Sequence, residues 1–177
     1  MRPIIGIAIE LVALSVALTA ASMYPLGGTL EVVAVLALQV IAAFLIHCPA
    51  HYLVGSALGI RFSSISVSRS GLVKGFPPRL AKLDLPLPTF HLSVSRKSRH
   101  TAPTRRLQLM FASGAIASIT AVVALAVSET FSGSLAVSIV AWLFALVYLS
   151  SEIVLSTKAG DFMRARSAGR KRPAPVP

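Results

Sequence analysis

One cysteine, one tryptophan and only six acidic residues occur in a chain of 177. A single thiol excludes an intrachain disulfide, so cysteine usage carries no information about redox compartment. Charged residues make up 13% of the chain against 55% hydrophobic, with a mean hydropathy of +0.77 and a formal charge of +11. Those values exclude an ordinary soluble domain and point to an integral membrane protein. Internal repeats are also lacking. Four stretches approach the roughly 20 apolar residues needed to cross a bilayer: about residues 4–23, 30–58, 107–127 and 135–156. The expected fold is a mainly α membrane protein, with one membrane domain over residues 1–166 and a disordered basic tail, rich in Arg, Lys, Pro and Ala, over residues 167–177.

Basic residues are missing between the first and second segments and between the third and fourth. Glu31 and Glu129 are the only charges there. All 17 Lys and Arg then fall on one side of a four-span protein, whereas three or five spans would divide them. Because cations beside span ends stay in the cytoplasm, this arrangement predicts both termini on that side. A sequence pI of 11.2 also invites a nucleic-acid reading. The cations hug the span ends, however, with little aromatic interleaving, so anionic lipid headgroups are the expected partner and nucleic acid is not. Arg2 followed by an apolar run ending near Ala20-Ala21-Ser22 resembles a signal peptide in outline. Its length exceeds a usual h-region, and its removal would upset the charge pattern, which predicts a retained first helix.

Nearly fifty residues separate the second and third segments, too many for a connection without structure of its own. Ile65 and Val67 alternate with serines, and Phe90, Leu92 and Val94 alternate with His91, Ser93 and Ser95. That period of two predicts a β-hairpin on the cytoplasmic side over about residues 61–100, with Gly71, Gly75, Pro77, Pro78, Pro86 and Pro88 turning the chain between its strands. An unpaired edge could hold an extended peptide; a lid of strands on the helix ends is the alternative.

The chemistry concentrates in Leu45-Ile46-His47-Cys48-Pro49-Ala50-His51-Tyr52-Leu53. Ionisable groups at membrane depth are costly and mark working sites. Four helical residues turn about 400°, so His47 and His51 share a face, about 6 Å apart, and both can reach one metal ion. Cys48 points about 100° away from His47. Pro49 cannot donate to the Leu45 carbonyl and should loosen the helix, admitting water. Asp161 follows the fourth segment at matching depth and would complete a two-histidine, one-carboxylate zinc set; alternatively it is a headgroup-level residue paired with Arg164 or Lys158. Glu10 and Glu152 are further carboxylates at membrane depth. His91 and His100 lie among cations and read as surface residues. Ser113, Gly114, Ala117 and Ser118 permit close helix packing.

His47-Cys48-Pro49-Ala50-His51-Tyr52-Leu53-Val54 and Leu58-Gly59-Ile60-Arg61 resemble the active-site helix of the site-2 protease family of intramembrane zinc metalloproteases, where His-Glu-x-x-His-Tyr leads into a Leu-Gly-Ile-type exit and a β-hairpin. Ala112-Ser113-Gly114-Ala115-Ile116-Ala117-Ser118 is similar to that family's Ala-Gly-Pro-x-Ala-Asn segment, with Ala115 and Ser118 standing where Pro and Asn are expected. Gly160-Asp161-Phe162-Met163-Arg164 resembles its Leu-Asp-Gly-x-Arg region, without the following Gly. The resemblance implies a site-2 protease-like core of the last three spans, with zinc on His47, His51 and Asp161. Cys48 stands where the family carries its catalytic Glu. Hydrolysis needs a base to take the proton of zinc-bound water, and a thiol near a metal tends to become a ligand instead. The expected role is therefore a non-proteolytic binding or regulatory pseudoprotease that holds a transmembrane peptide or membrane protein partner. Two alternatives are an active metalloprotease using Cys48 or a remote carboxylate such as Glu10 or Glu152, and a small metal or ion transporter.

Overall fold

A computed structural model describes residues 2–23, 28–69, 88–132, 134–158 and 160–168. Among them are six helices and two strands: α1 (Pro3–Met23), α2 (Thr29–Ala57), β1 (Phe62–Arg69), β2 (Pro88–Val94), α3 (Arg96–Thr101), α4 (Thr104–Ser132), α5 (Leu135–Lys158) and α6 (Asp161–Ala168). Four of the helices, α1, α2, α4 and α5, are long and apolar enough to cross a membrane. Pro88, expected in the turn, instead opens β2 opposite Arg69; the other expected turn residues of the hairpin and nearly all of the expected tail lie outside the described residues, while Ser167 and Ala168 of that tail belong to α6.

The four long helices alternate in direction. Ile7, early in α1, packs with Cys48, late in α2. Ala43 of α2 meets Val122 and Ala126 of α4 and Ala141 and Ala145 of α5. On α4 the buried positions Leu107, Met110, Gly114, Ser118, Val122 and Ala126 recur every three or four residues, one continuous stripe turned to the neighbouring helices. That stripe is made largely of small residues, which lets the backbones approach without help from a hydrophobic effect that lipid would not supply.

One polar side chain lies in the middle of this packing. Gln39, with no exposure, donates from Nε2 to the carbonyls of Val122 and Ala141, each at 3.2 Å, and so joins α2 to α4 and α5. Its Oε1 has no partner among the described residues. Replacing Gln39 by alanine is expected to lower stability by about 1–3 kcal/mol, since two interhelical hydrogen bonds and a filled volume are lost together. Reversible unfolding in bicelles would measure it.

Strands β1 and β2 pair antiparallel, Ile65 opposite Leu92 and Val67 opposite Phe90, with an irregularity between Phe62 and Ser64. Ile65, Phe90 and Leu92 pack against Ile7, Cys48 and Tyr52, so the apolar side of the hairpin rests on the ends of α1 and α2. The two-residue period read from the sequence is this half-buried face. The hairpin ends earlier than residue 100, because the Ser95 side chain accepts from Ser98 N at 3.2 Å and starts the short helix α3. Likewise α4 runs five residues past 127. The hydroxyls of Thr130 and Ser132 bond back to the carbonyls of Ala126 and Ser128, which makes these polar residues compatible with helix.

Candidate metal centre

Three elements bring the site together. The face of α2 that carries His47 and His51 turns to α4, and the C-terminal end of α5 leads through Gly160 into α6, whose first residue is Asp161. His47 Nε2 lies 2.9 Å and His51 Nε2 3.1 Å from the same oxygen, Oδ2 of Asp161. One donor atom from each of the three residues fits within 4.8 Å. The alternatives for Asp161 are therefore joined: Oδ2 meets both imidazoles, while Oδ1 lies 3.6 Å from Arg164 Nη1, one turn along α6. The carboxylate also sits in the first turn of α6, where the helix dipole favours negative charge.

The other ring nitrogen of each histidine decides which lone pairs face the aspartate. His51 Nδ1 is 2.7 Å from the Met110 carbonyl, which can only accept, so Nδ1 carries the hydrogen. His47 Nδ1 is 3.1 Å from Ser118 Oγ, whose own hydrogen is given to the Ala43 carbonyl at 2.8 Å. Ser118 must therefore accept from His47. In their neutral forms both rings turn a bare Nε2 lone pair toward a carboxylate oxygen, three acceptors facing one another. Two protons would relieve this only by setting two imidazoliums with ring centroids 4.8 Å apart. A single divalent ion satisfies all three donors at once, and the hydrogen-bonded Nδ1 groups are the outer partners that orient metal-binding imidazoles. Tetrahedral zinc with bonds of about 2.0–2.1 Å spaces its ligand atoms about 3.3 Å apart. The two contacts to Asp161 need open by only a few tenths of an ångström, while the ligand atoms of the two histidines, grouped within 4.8 Å, must close toward the same spacing.

Burial is uneven around this centre. Asp161 and His51 are buried, whereas the His47 side chain is 32% exposed. A fourth ligand, water or a substrate group, would thus enter past His47. Burial pushes the Asp161 carboxyl up; where the two imidazoles carry protons at Nε2 in place of a metal, the hydrogen bonds and charge they then supply outweigh burial and hold the group well below the usual carboxylate range.

Cys48 lies outside the set of ligands. Its thiol donates to the Phe90 carbonyl of β2 at 3.3 Å and packs with Ile7 and Ile65, on the α1 and hairpin side of α2. The 100° step from His47 is what carries it there. Pro49 is accommodated without ending α2, which continues to Ala57. Glu10 faces the same side as Cys48 and is buried, whereas Glu152 is half-buried on α5. His91 is half-buried in β2 and His100 exposed in α3; neither joins the metal-ligating group.

Two positions at the site, read from the sequence as packing residues and as part of a family-like segment, have a more direct part in it. Ser118 fixes the orientation of His47. Gly114 makes room for His51: a Cβ at this position would collide with Nε2, Cε1 and Cδ2 of that ring. Their spacing of four residues, matching that between the histidines, is the signal that could have singled them out, since antiparallel helices present such pairs to each other.

Between α2 and α4, beside the site, lies an apolar groove of about 410 Å³ lined in part by Ala50, Val54, Leu109, Ala112, Ser113 and Ile116. Ala50 falls between the two histidines and Ser113 adjoins Gly114. No family model matches this chain, and no curated protein or solved structure does either.

Proposed function

We propose that this chain is a multi-pass membrane protein with both termini in the cytoplasm, that it holds zinc on His47, His51 and Asp161 in a site-2 protease-like core, and that it acts as a non-proteolytic binding or regulatory protein. The observation that carries the metal reading is the convergence of two Nε2 atoms, each with its Nδ1 committed to an acceptor, on a single carboxylate oxygen. Bound there, zinc would supply Lewis acidity at a coordination position reached past His47.

Hydrolysis would need a proton acceptor beside that position. The residue next to His47 is a thiol turned to the Phe90 carbonyl, away from the ligands, and this supports a binding role. The groove between α2 and α4 suits an apolar occupant, and a transmembrane segment of a membrane partner is the one that fits its lining. Anionic headgroups would contact Arg61, Arg96, Lys97, Arg99, Arg105 and Arg106, which cluster where α2 ends and α4 begins.

Purified protein in detergent is expected to contain one zinc per chain by elemental analysis, removable by a chelator, and to leave single-pass membrane peptides uncut. Absence of bound metal after zinc loading, or chelator-sensitive cleavage by the wild type, would each refute the corresponding half of the proposal. Cys48→Glu tests the kinship to proteases. A carboxylate at this position would be repelled by the Phe90 carbonyl oxygen and would find relief by turning toward His47 and the coordination position beside it. The variant is expected to gain chelator-sensitive cleavage from an undetectable level; zinc retained without any gain would mean that the site has lost more than its base.

A further inference from the structure

Glu10 is an unusual residue for the middle of an apolar helix. It is 1% exposed, and neither carboxylate oxygen has a hydrogen-bond or ion-pair partner among the described residues. It lies one turn beyond Ile7, the α1 residue that packs with Cys48 and Ile65, and Cys48 is within its electrostatic reach. Helix α1 packs on α2 and on β1. From α2 the titratable groups on this side are Cys48 and Tyr52, because His47 and His51 are turned to α4 and α6. The described side chains of β1, Phe62 to Ser66, carry no charge, α1 itself holds no cation, and Arg2, just before it, is eight residues from Glu10 in sequence. Among the described residues nothing cationic is therefore in place to balance a carboxylate here.

An ionised, unpaired carboxylate in the hydrocarbon region is too costly to persist, and the neutral acid removes most of that cost. We propose that Glu10 is a proton-binding site: a carboxylic acid held in its neutral form within the bilayer, beside Cys48 and separate from the metal centre, able to release its proton when a cation or a hydrogen-bonding partner reaches the junction of α1, α2 and the hairpin. Such carboxyls are the working groups of intramembrane proton exchange. This inference depends on the membrane placement of α1 and is independent of whether the histidines bind zinc.

The test uses the full chain in phosphatidylcholine vesicles at neutral pH. The infrared difference spectrum between wild type and Glu10→Gln is expected to contain the C=O stretch of a protonated carboxylic acid, and dicyclohexylcarbodiimide, which reacts with protonated carboxyls in apolar surroundings, is expected to label the peptide carrying Glu10. Glu10→Gln should lose the label completely and keep the wild-type metal content. Glu10→Asp, which keeps the acid, should retain the label with a shifted band, so that loss of the group is distinguished from loss of the fold. A carboxylate band in place of the acid band would overturn the proposal, as would labelling of Glu10 only by a water-soluble carbodiimide.

Discussion

Gly114→Ala is expected to lower zinc affinity by about 100-fold or more while leaving the helices assembled. An added methyl at this position cannot coexist with the His51 ring as it stands, because Nε2, Cε1 and Cδ2 all fall inside its contact distance. The ring is not free to retreat. Its Nδ1 is bonded to the Met110 carbonyl one turn earlier on the same helix, and that oxygen also accepts from Ser113 Oγ at 2.7 Å. Moving the imidazole therefore breaks the hydrogen bond that orients it and pulls Nε2 off the position shared with Asp161. Loss of an outer partner alone costs such sites about 10–100-fold in affinity, and here the ligand itself is displaced. Competition with a fluorescent zinc chelator would read the affinity, and circular dichroism would confirm unchanged helix content. Wild-type affinity in Gly114→Ala would mean that His51 is not a ligand.

Asp161→Asn should have an effect of the same order for a different reason. Shape is nearly conserved, but the only negative charge among the three ligands is removed, and an amide oxygen is a poor partner for zinc beside two neutral imidazoles. The same substitution weakens the contact to Arg164 and loosens the attachment of α6 to the bundle. In the wild type this carboxyl lies below its ordinary range. Its contribution to stability is therefore complete above the unfolded value of about 3.9 and disappears only as the pH falls through the lower folded value. Between neutral pH and that window Asp161 stays ionised and keeps its full charge toward the metal. Isothermal titration of zinc into wild type and Asp161→Asn at two pH values would test both statements. An undiminished affinity in the asparagine variant would remove Asp161 from the ligand set.

The two variants probe opposite sides of the site, one steric and one electrostatic, and they act through different helices. Gly114 belongs to α4 and Asp161 to α6, whereas the histidines belong to α2. Zinc binding would accordingly tie α2 to α6, with α4 holding the histidines from behind through Met110 and Ser118, and chelation should lower the stability of the assembled helices by the free energy of binding.

Much of this arrangement follows from one-dimensional information. Apolar runs of bilayer length set four helices long and apolar enough to cross a membrane, the alternation around Ile65 and Phe90 sets a hairpin, and a four-residue spacing places His47 and His51 on one face. Each is a property of local periodicity or composition, which the chain carries whatever its neighbours do. Contacts between distant residues are a different matter. That Asp161 reaches both imidazoles depends on where α6 begins relative to α2, which is a consequence of how α4 packs between them. Side-chain partners obey the same rule: Ser118 as the acceptor for His47, Gly114 as the space for His51 and Phe90 as the acceptor for Cys48 all belong to helix or strand pairings more than twenty residues apart in sequence. Glu10 is the extreme case, since its lack of a partner among the described residues could be seen only in the packed structure. Spacing decides which face a residue occupies; packing decides what that face meets, because the depth and rotation of one helix against another arise from the summed fit of many side chains and are written in no single segment.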